Sequence, residues 1–136
     1  MIKMTDADWG SVGKYFKKEE FDSPDAPGSG NEMSLEFIKF LYNMRNVLGF
    51  AFVISKGGGF RTMKYQSAHG ATVGSESDHT QGVGADIKCS DSSTRFQIVR
   101  YLIENKIKRI EICDKHVHVG FSTTLPQEVC VWGKSK

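Results

Sequence analysis

The clearest hydrophobic pattern in the chain is Phe37, Leu41, Met44 and Leu48, spaced three and four apart so that all fall on one helical face. Ser34 stands where an N-cap belongs, Met33 and Ile38 are placed for a hydrophobic staple, and Gly49 is a natural stop. The pattern predicts an amphipathic helix whose apolar stripe is core. Residues 50–55 (FAFVIS) are apolar and β-favouring, which predicts a buried strand. A second helix is predicted after Asp91-Ser92-Ser93, each a possible N-cap, with Phe96, Val99, Leu102 and Ile103 as its buried face. Residues 109–113 (RIEIC) and 116–121 (HVHVGF) alternate with period two around Asp114-Lys115, which predicts a hairpin.

Between these elements the signals are weaker. Residues 1–14 read as a weakly structured lead-in. Tyr15, Phe16 and Phe21 flank Lys17, Lys18, Glu19 and Glu20, as in a short amphipathic turn tucked on the core. Residues 22–31 (DSPDAPGSGN) and 63–76 read as loops, the second carrying His69 as a surface or cleft-lining residue. Residues 83–89 are expected to form a central strand. Val129, Val131 and Trp132 suggest an edge segment or a packed tail. The sum is an α+β fold, a small antiparallel sheet flanked by helices, in one domain covering residues 1–136.

Composition narrows the classes. A chain of 136 residues with 39% hydrophobic content can bury a core without disulfides. A net charge of +2, from scattered Lys and Arg, gives no case for nucleic acid as a partner. Cys89, Cys113 and Cys130 are odd in number and form no Cys-x-x-Cys pair, so a disulfide framework or a cysteine zinc knuckle is not expected. They fit synthesis in a reducing cytoplasm. Lys3, Asp6 and Asp8 interrupt any signal-peptide core, and no apolar run approaches the roughly 20 residues needed to cross a bilayer. No membrane insertion is expected.

The chemistry concentrates in residues 77–87 (SDHTQGVGADI). A histidine leaving a loop and an aspartate arriving on a strand, seven residues apart, can meet at one metal ion; Gly82 and Gly84 let the backbone turn between them. Alone, this is also a glycine-rich turn with a solvated His and Asp. The hairpin adds to it. With a two-residue turn, Cys113 faces His116 and Glu111 faces His118, which puts two histidines and a carboxylate on one face. Lys56-Gly57-Gly58-Gly59 lacks the spacing of a phosphate loop. Its glycines instead let a loop bend over a pocket and present Arg61, whose planar fork suits a carboxylate or a polarised carbonyl.

Ser77-x-His79-x-x-Gly82-x-Gly84-x-Asp86-Ile87, followed by Val117-His118-Val119, resembles the zinc D-Ala-D-Ala carboxypeptidase and endopeptidase family, whose fold the hedgehog signalling domain shares. Phe60-Arg61-Thr62 is similar to that family's Tyr-Arg-Thr, and Tyr15-Phe16 and Glu20-Phe21 to its N-terminal elements, so the resemblance spans about residues 15–121. It implies zinc held by His79, Asp86 and His118, with Arg61 and Ser77 on the substrate side. Two imidazoles and one carboxylate leave an open position, the pattern of a catalytic rather than structural zinc. Such an ion brings the pKa of bound water toward roughly 7 and polarises a carbonyl.

Two positions depart from the family's pattern. Members carry an acid three residues before the last ligand or two after it; here those positions are Lys115 and Gly120. Asp114, His116 and Glu111 remain as candidates for the general base. The expectation is Asp114 as base with His116 stabilising the oxyanion. Arg61 would recognise a stem carboxylate or steady the tetrahedral intermediate.

The resemblance implies a monomeric, zinc-dependent peptidase cleaving peptidoglycan stem peptides at a D-amino-acid bond. It would be made in the cytoplasm without a signal peptide and act at the bacterial cell wall, as bacteriophage endolysins do. The rival reading is a zinc-containing binding module of the same fold that has lost catalysis. A metal-free structural or capsid-associated protein is the third.

Overall fold

The computed structural model describes residues 1–131. Its first element corrects an expectation. Residues 1–14 are not a loose lead-in but contain helix α1, Asp6–Ser11, opened by a reciprocal capping box between Thr5 and Asp8. Six residues are too few to hold a helix by propensity. Burial does it: Trp9 is in the core beside Met4 and Val12, and its indole Nε1 donates to Asn31 Oδ1 at 2.8 Å. Phe16 and Phe21 are buried as predicted, packed edge-to-face at 5.7 Å between centroids.

Helix α2, Leu35–Leu48, follows the pattern closely. Ser34 Oγ accepts from Phe37 N, and Gly49 closes the helix in the left-handed region with φ 74°. Phe37, Ile38, Leu41 and Met44 are buried, while Leu48 packs partly against the core. Residues 50–55 do not form the predicted strand. Phe52 and Ile54 are buried but Ala51 and Val53 are exposed, and only a single bridge, Ile54 to Ile87, joins the segment to the sheet. Residues 63–76, read as a loop, contain helix α3, Met63–Ala68, capped by Thr62.

The sheet is built on strands β1 (Gly84–Lys88), β2 (Arg109–Ile112) and β3 (His116–Gly120). The first and second each pair antiparallel with β3, and β4 (Val129–Val131) adds in parallel to β2, giving the order β1-β3-β2-β4. Two refinements follow. The antiparallel sheet carries one parallel edge strand, and β1 sits at one end of the order rather than at its centre. The edge segment expected at Val129 and Val131 is present; Trp132 lies outside the described residues.

Helix α4, Ser92–Glu104, lies where predicted but is rotated. Ile98 and Leu102 are buried, whereas Phe96 is 62% and Ile103 54% exposed. The cause is polar. Arg95 shares the face of Ile98 and Leu102, and its guanidinium donates to the carbonyls of Cys113, Cys89 and Asp114 at the hairpin turn. Three carbonyls at the hairpin end satisfied by one side chain fix the rotation against a modest apolar preference.

The result is a single-domain α+β structure whose sheet has two unlike faces. Ala85, Ile87, Ile110, Val117 and Val119 point into the core shared with α2 and α4. Asp86, Glu111, His116 and His118 point the other way, into a cleft. Among the described residues no helix is long and apolar enough to cross a membrane.

Candidate metal centre

The cleft encloses about 580 Å³, with the sheet as floor and the loop carrying Arg61, helix α3 and residues 75–79 as walls. Strand pairing places the first cleft side chains. Asp86 on β1 and Glu111 on β2 both stand opposite His118 on β3, so the three side chains share one face by register alone. The predicted hairpin register is the one observed, with Cys113 N donating to His116 O at 3.0 Å.

His79 reaches the same point from a tight turn. Gln81 N donates to Ser77 O, Val83 N to Asp78 O, and Gly82 N to His79 O, closing the chain into a knot at residues 77–83. Gly82 has φ 72°, and a Cβ there would strike the Glu32 carbonyl, so glycine is required twice over. The ring is then aimed. His79 Nδ1 lies 2.9 Å from the Gly59 carbonyl, an acceptor only, so Nδ1 carries the proton and Nε2 presents its lone pair to the cleft.

The three candidate ligand atoms converge. His79, Asp86 and His118 each offer one atom, all within 4.8 Å of one another, and all three residues are buried. His79 Nε2 lies 3.4 Å and His118 Nδ1 2.9 Å from Asp86 Oδ1. Arg61 Nη2 donates to Asp86 Oδ2 at 3.0 Å and its Nε to the Gly57 carbonyl at 2.6 Å. The group could hold a metal ion.

The electrostatics fit a cation. Burial works against the Asp86 charge, yet the neighbouring His79 and His118 hold its carboxyl well below the usual range. Burial pushes His79 down toward the neutral form, against the pull of Asp86. Burial also opposes the charge on His118, but Asp78 and Asp86 outweigh it and raise its pKa to about 9. Both ring nitrogens of His118 face carboxylate oxygens, so the metal-free ring is an imidazolium whose Nδ1 proton sits among the ligand atoms. A divalent ion could take that proton's place and satisfy the same oxygens.

The remaining expected site residues divide. His116 lines the cleft with Nε2 3.8 Å from Asp86 Oδ1, and Glu111 and Ser77 line it too, Ser77 Oγ donating to Gln66 Oε1. Asp114 does not line it: exposed in the hairpin turn, it is held there through its carbonyl by Arg95. His69 stands at the rim, exposed, stacked on Tyr65 at 3.9 Å.

Compared with family models, curated proteins and solved structures, the chain finds no match. The site therefore rests on its own residues. Two of these went unnoticed in the sequence. Asp78, 1% exposed, accepts from His118 Nε2 at 2.8 Å. Arg109 meets the same carboxylate with Nε at 3.1 and 3.0 Å and Nη2 at 2.9 Å. Burial opposes ionisation of Asp78, but bonds from His118 and Arg109 prevail and bring its carboxyl down to about 2. Adjacency to His79 was the available signal for Asp78; nothing in the local sequence marks Arg109.

Proposed function

We propose that the chain is a zinc-dependent peptidase acting on peptidoglycan stem peptides at a D-amino-acid bond, with the fold type of the zinc D-Ala-D-Ala peptidases and hedgehog domains. The observation that carries the reading is the convergence of His79 Nε2, Asp86 Oδ1 and His118 Nδ1 on the floor of an open cleft. The substrate class comes from the motif resemblance. Zinc bound by those atoms supplies a Lewis acid for the scissile carbonyl and acidifies an attacking water.

The chain's own residues do the rest. Asp86 would offset part of the metal's charge, and Arg61, clamped on Asp86 and on Gly57 and lining the cleft, would offer its remaining donors to the carbonyl oxygen that gains charge. Glu111 takes the general-base role, because it lines the cleft directly across from His118 whereas Asp114 does not. His116, beside Asp86, assists the developing oxyanion. We place the activity at the bacterial cell wall, as for a phage endolysin, in a monomer.

One observation favours a second reading. With Lys115 and Gly120 at the two positions where the resembled peptidases carry an acid, a zinc-holding binding module without catalysis fits the same cleft. Digestion of purified peptidoglycan with zinc-loaded protein, with and without chelator, separates the two. The expected outcome is chelator-sensitive release of stem-peptide fragments, whose masses identify the bond cut. Intact peptidoglycan beside a fully zinc-loaded protein favours the binding module.

A further inference from the structure

The carboxylate of Asp78 occupies a place the sheet has been opened to receive. Gly84 and Gly120 are register partners on β1 and β3, on the face that bears His118. A Cβ on Gly84 would stand 2.6 Å from Asp78 Cβ, and one on Gly120 would overlap the Asp78 carboxyl carbon. Two facing glycines thus leave a gap one side chain wide, and Asp78 fills it from the turn above. Its carboxylate is fully engaged there. Oδ1 accepts from Ser122 N at 3.0 Å and from Arg109 Nε, and Oδ2 accepts from Arg109 Nη2 and His118 Nε2. Arg109 is braced in turn by the Pro126 carbonyl. With every lone pair spent and the residue out of solvent, Asp78 has no capacity to serve as a base toward a substrate.

We propose that Asp78, wedged between Gly84 and Gly120 and clamped by Arg109, is a positioning residue that fixes His118 as an Nδ1 ligand. A histidine ring offers either nitrogen to a metal, and the partner of the other nitrogen decides which. An acceptor-only carboxylate on the Nε2 side keeps the proton there and leaves Nδ1 facing Asp86 and His79. The clamp also explains why the acceptor stays put: a bidentate arginine and a backbone N–H hold both oxygens, so the carboxylate cannot swing away from the ring. The proposal rests on the metal reading for His118 but concerns different residues.

The test uses the full chain and Zn²⁺ as the probe. Zn²⁺ affinity is measured by competition with a chromophoric chelator, and the His118 nitrogens are read by long-range ¹H–¹⁵N correlation. Wild-type protein with Zn²⁺ is expected to show the metal shift at Nδ1 and a proton at Nε2. Asp78→Ala is expected to lower Zn²⁺ affinity about 10–100-fold, and the isosteric Asp78→Asn, which keeps an acceptor, to fall between it and wild type. Gly120→Ala keeps the carboxylate but takes its space, and carries the same expectation should Asp78→Ala not fold. Wild-type affinity in a folded Asp78→Asn and Asp78→Ala pair overturns the proposal, as does wild-type coordination through Nε2. If wild type binds no Zn²⁺ while its metal-free spectrum retains the Nε2–H bond to Asp78, the metal reading falls, and His118's ligand role with it.

Discussion

Arg61 stands out in the sequence for a free guanidinium, and the structure shows that guanidinium already partly engaged. Its isolated fork suggested a group held ready for a substrate carboxylate. In the folded chain Nε and Nη2 are already committed to Gly57 and Asp86, so under the proposed function recognition would fall to what remains of the guanidinium. Two effects can then be separated. Arg61→Ala should leave Zn²⁺ stoichiometry at one per chain while reducing kcat on stem peptides by about 10²–10³-fold, the cost of losing one preorganised oxyanion donor. Steady-state kinetics with metal analysis on the same preparation checks this. Unchanged kcat would remove Arg61 from the reaction. The same scale explains what was missed: His79, Asp86 and His118 stand in a spaced motif, whereas Asp78 and Arg109 act through a contact between residues 31 apart, which no local pattern encodes.

At the scale of elements, α4 is the instructive case. Its apolar residues cover more than one face, and of the face read from the sequence Leu102 is buried and Val99 packs partly against the core, while Phe96 and Ile103 are exposed. Arg95 settles the matter by bonding the hairpin carbonyls, which brings Ile98 and Leu102 under the sheet and leaves Phe96 outside. The consequence is measurable by chemical denaturation. Phe96→Ser should change stability by no more than about 0.5 kcal/mol, as for an exposed site, while Ile98→Ala should cost about 2–5 kcal/mol. A large loss from Phe96→Ser would mean that the helix packs in the other rotation. Helix α2 behaved as read because cap, stripe and stop all agreed. Helix α1 had only its capping box to announce it; Trp9 gains its support from Asn31, which lies 22 residues away.

For the whole molecule, the candidate metal centre joins the turn at residues 77–83, strand β1 and the hairpin at one point. An ion that binds the folded chain and not the unfolded one stabilises it by about 4 kcal/mol at a thousandfold excess over its Kd. For a domain of this size that is a rise in Tm on the order of 10 °C. Thermal unfolding with Zn²⁺ and then with excess chelator should show the rise and its reversal. A Tm indifferent to both would remove the ion from the structure's account.

The amino-acid order by itself determined the local elements whose signals are redundant, and the register of the hairpin. Period-two alternation around a two-residue turn permits only one way to bury Ile110, Val117 and Val119, and that choice sends Glu111, His116 and His118 to the opposite face. It also marked His79 and Asp86 as partners, because a short loop between them limits how far apart they can lie. Tertiary structure alone decided the rest: which way α4 turns, that β4 adds in parallel, that Asp114 stays outside the cleft, and that a gap between two glycines receives Asp78. Each of these depends on atoms brought together from distant parts of the chain, where the energy lies in contacts formed only after the elements have packed.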